Sequence, residues 1–89
     1  MKILSGKERI IMNQKLKELV EFGADIEFRF HGKEYIILPW TDDGIVIGEK
    51  NGDDSVFDSY DDMVNKYVID DCVMKDILEK IEITFTSGC

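Results

Sequence analysis

The spacing of apolar side chains along this chain changes period twice, and each change marks a new kind of element. Met12, Leu16, Leu19 and Val20 recur at helical spacing with Lys15, Lys17, Glu18 and Glu21 between them. Ser5-Gly6-Lys7-Glu8 has the S-x-x-E spacing of a capping box. Gly23 stands where a left-handed helix end belongs. The pattern predicts a first helix over residues 7–22. Ile10 lies off the stripe, so the helix start could fall nearer Asn13. From Asp25 the period drops to two. Ile26, Phe28 and Phe30 alternate with Glu27 and Arg29, the mark of a half-buried strand. His31-Gly32 suits a two-residue hairpin turn, because both residues tolerate positive φ.

A second strand is predicted from Lys33 to Leu38, with Pro39 closing it. Thr41-Asp42-Asp43-Gly44 reads as a turn, Ile45-Val46-Ile47 as a third strand, and Glu49 to Asp54 as a polar loop containing Asn51-Gly52. Ser59, or alternatively Asp58, caps a second helix whose apolar face is Tyr60, Met63, Val64 and Tyr67. Asp70 or Asp71 caps a short third helix, with Val73, Met74, Ile77 and Leu78 turned inward. Ile81, Ile83 and Phe85 alternate as a closing strand, and residues 86–89 form a flexible tail. The expected order is α-β-β-β-α-α-β. It makes a two-layer α+β fold in which helices cover one face of a three-stranded antiparallel meander plus a short C-terminal strand.

Eighty-nine residues, 44% of them hydrophobic and nine of them aromatic, form one domain over 1–89 with enough apolar area to fold alone. No apolar run reaches the roughly 18 residues of a membrane span, and no signal-peptide stretch is visible, so a cytoplasmic protein is expected. Cys72 and Cys89 make no disulfide framework.

Charge changes the picture most. The chain carries 11 basic and 19 acidic residues, net −8. Such a balance argues against direct contact with nucleic acid or anionic lipid, both of which require clustered Lys and Arg. Residues 1–40 are net +1 and residues 63–89 net −2, whereas residues 41–62 hold Lys50 against eight acids and are net −7. The acids are Asp42, Asp43, Glu49, Asp53, Asp54, Asp58, Asp61 and Asp62. Turns use Asp42 and Asp43 locally, and a helix N-terminus favours Asp58, Asp61 and Asp62. Local structure leaves unexplained the near absence of balancing cations, since soluble surfaces usually mix both signs.

Catalytic and metal chemistry find little support. No window matches an EF-hand loop, and one His with two distant Cys gives no transition-metal spacing. His31 is accounted for by its turn. Cys72, expected in the first turn of the third helix, has Asp70, Asp71 and Asp76 nearby to oppose thiolate formation. The pairs Asp42/Asp43, Asp61/Asp62 and Asp70/Asp71 fall in turns and helix starts rather than an apolar cleft. No phosphate-binding glycine loop or nucleophile elbow is present. The expectation is a protein that is not an enzyme and uses no cofactor or metal.

Phe57-Asp58-Ser59-Tyr60-Asp61-Asp62, Ile69-Asp70-Asp71 and the stretch from Ile77 to Ile83 resemble the C-terminal half of small acidic proteins of low-GC Gram-positive bacteria and their phages. The element order with its acidic loop is similar in layout to phage anti-CRISPR proteins. Immunity proteins and antitoxins that neutralise nucleases share the same physics. The resemblance implies an inhibitor that presents carboxylates to the DNA-binding groove of a basic protein; for an interface of that kind, Trp40 or Tyr60 is the expected aromatic anchor. The alternative is a small interaction module, joined as a homodimer through a sheet edge.

Overall fold

The computed structural model describes residues 6–87, and the side chains of residues 13–87. Helix α1 spans Gly6–Phe22. The Ser5 cap, the side chains of Ile10 and Met12, and Cys89 lie outside the described residues. Gly23 takes φ +93° and ends α1 as the sequence predicts. Its amide bonds to the Val20 carbonyl, and the Ala24 amide to the Leu19 carbonyl, both at 3.1 Å. This pair of bonds satisfies carbonyls that a helix end otherwise strands.

Five antiparallel strands follow as one sheet: β1 (Ile26–Phe30), β2 (Lys33–Thr41), β3 (Gly44–Glu49), β4 (Asp54–Phe57) and, at the end of the chain, β7 (Glu82–Thr86). Their spatial order is β4-β3-β2-β1-β7, so β4 and β7 are the two edges. Between β4 and β7 lie α2 (Tyr60–Lys66), the two-residue strands β5 (Val68–Ile69) and β6 (Cys72–Val73), and two short 3-10 turns over Met74–Asp76 and Leu78–Lys80. The α+β class stands.

The β1–β2 hairpin pairs Ile26 with Ile37, Phe28 with Tyr35 and Phe30 with Lys33. Its turn residues His31 and Gly32 take φ +51° and +78°, as a type I′ turn requires. One face of the sheet is therefore Ile26, Phe28, Phe30, Tyr35, Ile37, Ile45 and Ile47, all buried. Leu16 and Val20 of α1, and Tyr60, Met63 and Val64 of α2, close over it, with Ile69, Met74, Ile77, Leu78 and Ile81 completing a single core. Phe28 and Tyr35 stack at 5.1 Å between ring centroids. Among the described residues no charged or polar side chain is buried in that core.

Four expectations fail. First, residues 54–57 form β4, where a polar loop was expected through Asp54. This strand is an edge and its side chains are exposed or half-buried, so no apolar alternation announces it. Second, no third α-helix forms. Asp70 and Asp71, expected as caps, take φ +51° and +67° and turn the β5–β6 hairpin, in which Val68 faces Val73 and Ile69 faces Cys72. Val73 stays in β6, Met74 and Leu78 fall in the 3-10 turns with Ile77 between them, and Met74, Ile77 and Leu78 reach the core. Third, Thr86 belongs to β7 rather than to a tail. The Ser87 amide donates to the Asp25 carbonyl at 3.0 Å, and the Asp25 amide to Ser87 Oγ at 3.1 Å. The second strand also runs on past Pro39 to Thr41, with a register shift between Leu38 and Thr41 that accommodates a residue lacking an amide proton.

Two predictions arise here. Asp71 sits in a left-handed conformation that glycine adopts freely and that costs other L-residues roughly 1–2 kcal/mol. Asp71→Gly creates the preferred Asp-Gly turn, and net of the entropy glycine loses on folding it should stabilise by up to about 1 kcal/mol, read as a higher denaturation midpoint.

The second concerns alkali. Burial raises the pKa of Tyr35, Tyr60 and Tyr67 above the ordinary 10.0, with Asp70 and Glu49 adding to the effect at Tyr35. The hydrogen bond to Glu27 raises that of Lys50. All four groups hold their protons more tightly when folded. The unfolded chain releases protons first as pH rises, so stability should be flat up to about pH 10 and fall above it. Chemical denaturation across that range measures the slope, and Tyr67→Phe should make it shallower.

Candidate functional site

The β2–β3 and β3–β4 connections decide where the acidic segment goes. Asp42 and Asp43 form the exposed tip of the β2–β3 turn, closed by a 2.6 Å hydrogen bond from Thr41 Oγ1 to the Gly44 carbonyl. In the β3–β4 ladder Ile45 faces Phe57, Val46 faces Val56, Ile47 faces Ser55 and Gly48 faces Asp54. Asp58 follows Phe57 and so lies at the end of the ladder that carries Asp42 and Asp43. Glu49, Asp53 and Asp54 lie at the opposite end. Gly44 and Gly48 are four residues apart on one strand, about 13 Å at 3.3 Å per residue, which exceeds a Debye length of about 8 Å. The segment is thus two acidic ends of one hairpin, each cohesive and each screened from the other.

Asp61 and Asp62 stand in the first turn of α2. Ser59 caps that helix, its hydroxyl accepting from the Asp62 amide at 3.1 Å. Asp62 lies 3.6 Å from Lys66 one turn on. Of the other described cations, Lys15, Lys17, Lys75 and Lys80 enter no ion pair, and the rest face acids outside residues 41–62. Arg29 faces Glu34 and Glu82, Lys50 is bonded to Glu27, and Lys33 and His31 both approach Asp70. Among the described residues, Asp62 alone of the eight acids has an ion pair, so Asp42, Asp43, Glu49, Asp53, Asp54, Asp58 and Asp61 carry unneutralised charge.

The two aromatic candidates separate. Trp40 is 62% exposed, and its indole N–H donates to the Asp25 carboxylate. Tyr60 is 4% exposed, and its hydroxyl donates to Asn13 Oδ1 at 2.7 Å, so it is a core residue and no surface anchor.

The sequence reading missed the face of the sheet turned away from the helices. Leu38, Val46 and Val56 are direct cross-strand neighbours on that face, with Ile36 two residues along β2. Val56 is 49% exposed, as is Phe85 on the β7 edge. The signal was in the chain: Ile36-Ile37-Leu38 and Ile45-Val46-Ile47 are unbroken apolar triplets, and a strand with one wet face should alternate.

A depression of about 540 Å³ between α2 and the 3-10 turns is lined by Asn13, Asp61, Lys75, Asp76 and Lys80 among others, and these five are all exposed. Exposed carboxylates lack the desolvation that separates a catalytic acid from its base. Cys72 is exposed in β6, not in a helical first turn. Among the described residues no three potential metal ligands come together, and no helix is long and apolar enough to cross a membrane.

Comparison with known proteins finds no matching family model, no similar curated protein and no similar solved structure.

Proposed function

We propose that this protein is a non-catalytic, cytoplasmic binding module that occupies a basic protein surface of the kind nucleases and other nucleic-acid-binding proteins present. Inhibition would follow from occupancy, with carboxylates standing where phosphates would bind. The observation that carries the reading is the absence of ion pairs, among the described residues, for seven of the eight acids of residues 41–62, while Arg29, Lys33 and Lys50 pair with acids other than these seven. Charge left unpaired on a folded surface opposes its own compaction, and a basic partner relieves that repulsion.

A homodimer through an edge strand, or a regulatory module of another kind, is the competing reading. The open edges β4 and β7 favour it, and a net charge of −8 per copy opposes it.

Capture from a lysate of the source cell at low ionic strength, followed by stepwise salt elution, tests the proposal. Immobilised protein should retain basic nucleic-acid-binding proteins that leave as salt rises. A variant with Asp42, Asp43, Asp53, Asp54 and Asp58 changed to Asn should lose about 2.5–5 kcal/mol of binding at roughly 0.5–1 kcal/mol per exposed charge, which is a factor of about 70 or more in affinity. Equal capture by the variant, or elution insensitive to salt, would refute it.

A further inference from the structure

The uncovered face of the sheet has dimensions and charge that select one kind of occupant. Val56, Val46 and Leu38 form a row across β4, β3 and β2, with Ile36 and Trp40 on either side of Leu38 along β2. Three strands span two inter-strand spacings, about 10 Å, and an α-helix with its side chains is about 10–12 Å across. From Ile36 to Trp40 is about 13 Å along the strand, the length of roughly nine helical residues. The apolar stripe along β2 is therefore between two and three helical turns long, and at Leu38 it widens across β3 and β4 to about one helix diameter, while beside Ile36 stand Gly48 and Asp54. A strand added at the β4 edge would pair backbone groups and leave this row uncovered.

The charge around the row is one-sided. Asp54 stands beside Val56, Asp42 and Asp43 stand beyond Trp40, and none of the three has an ion pair among the described residues. Lys50 on the same face is already bonded to Glu27. A second copy laid on this face would bring like carboxylates together. From this complementarity we infer that the open face of β2, β3 and β4 receives an amphipathic helix of another protein, its apolar stripe flanked by Lys and Arg. The inference rests on the acidic-surface reading above and names the partner's form.

The test is a titration of ¹⁵N-labelled protein with a synthetic helical peptide of about 18 residues, long enough to hold a helix, bearing Leu on one face and Lys along both flanks. A scrambled peptide of the same composition, whose Leu residues share no face, is the control. Amide shifts should centre on Trp40, Val46 and Val56, and Trp40 emission should move to the blue. The patterned peptide should bind at least about tenfold tighter than the scrambled one, and Val56→Ser and Trp40→Ala, both at exposed positions, should each cost about three- to tenfold. Equal affinity for both peptides would overturn the helix inference and leave the acidic reading standing. Failure of both Lys peptides to bind at low salt would remove the helix inference and the acidic reading together. A stable dimer with the same amides at its interface would also overturn the inference, by placing a second copy on this face.

Discussion

Phe28→Ala is expected to bring the protein to the edge of unfolding at room temperature. Phe28 is fully buried, stacks on Tyr35 and lies on the strand between β2 and β7. Truncating a buried phenylalanine costs about 3–5 kcal/mol, the lost transfer energy plus the cavity left behind. Small domains have only about 5–15 kcal/mol in total. Urea denaturation followed by circular dichroism should show the midpoint collapse. Phe85→Ala, at a half-exposed position on the same sheet, should cost less than about 1 kcal/mol. Similar costs at the two sites would mean that the core is not centred where this fold puts it.

Gly44→Ala should be the next most damaging change, and it acts at the junction that builds the acidic surface. Gly44 takes φ +125°, and a Cβ there would lie 2.6 Å from the Phe57 carbonyl oxygen. The backbone conformation alone costs a non-glycine residue about 1–3 kcal/mol. The collision is with main chain and cannot be relieved by a rotamer, so a total of about 2–4 kcal/mol is expected. Gly32→Ala is the control. Its φ is +78° but a Cβ would meet nothing within 4 Å, so its cost should stay near 1–2 kcal/mol. Because Gly44 sets the β2–β3 turn against the end of β4, the variant should also lower affinity for a basic partner at temperatures where it remains folded. Equal costs at Gly44 and Gly32 would contradict the close approach of β4.

The parts of the fold legible in the sequence are those where local chemistry and packing agree. The Ile26–Phe30 alternation, the His31-Gly32 turn, the Gly23 helix end and the Ser59 cap each have a residue whose own preference matches its place. Residues 68–80 mislead because Asp serves equally as a helix cap and as a left-handed turn residue, and the apolar spacing fits a helix. Tertiary packing of Ile69, Met74 and Ile77 decides between them. Strand β4 was hidden because an edge strand needs no apolar stripe. Tyr60 fits two readings, the apolar face of α2 and a surface anchor, and burial decides for the first, with its hydroxyl held by Asn13 from α1, 47 residues away in sequence. The absence of ion pairs around Asp42, Asp43, Asp53, Asp54 and Asp58 required coordinates, since sequence counts charges without saying which ones meet.

Amide hydrogen exchange of the protein alone and in complex with a captured basic partner would locate the contact surface most directly. Slowed exchange confined to Pro39–Asp58, absent in high salt, is the predicted footprint. Protection over α1 or the 68–80 segment, with the β2–β4 strands unchanged, would contradict the claim that these wet, unpaired carboxylates are what the partner touches.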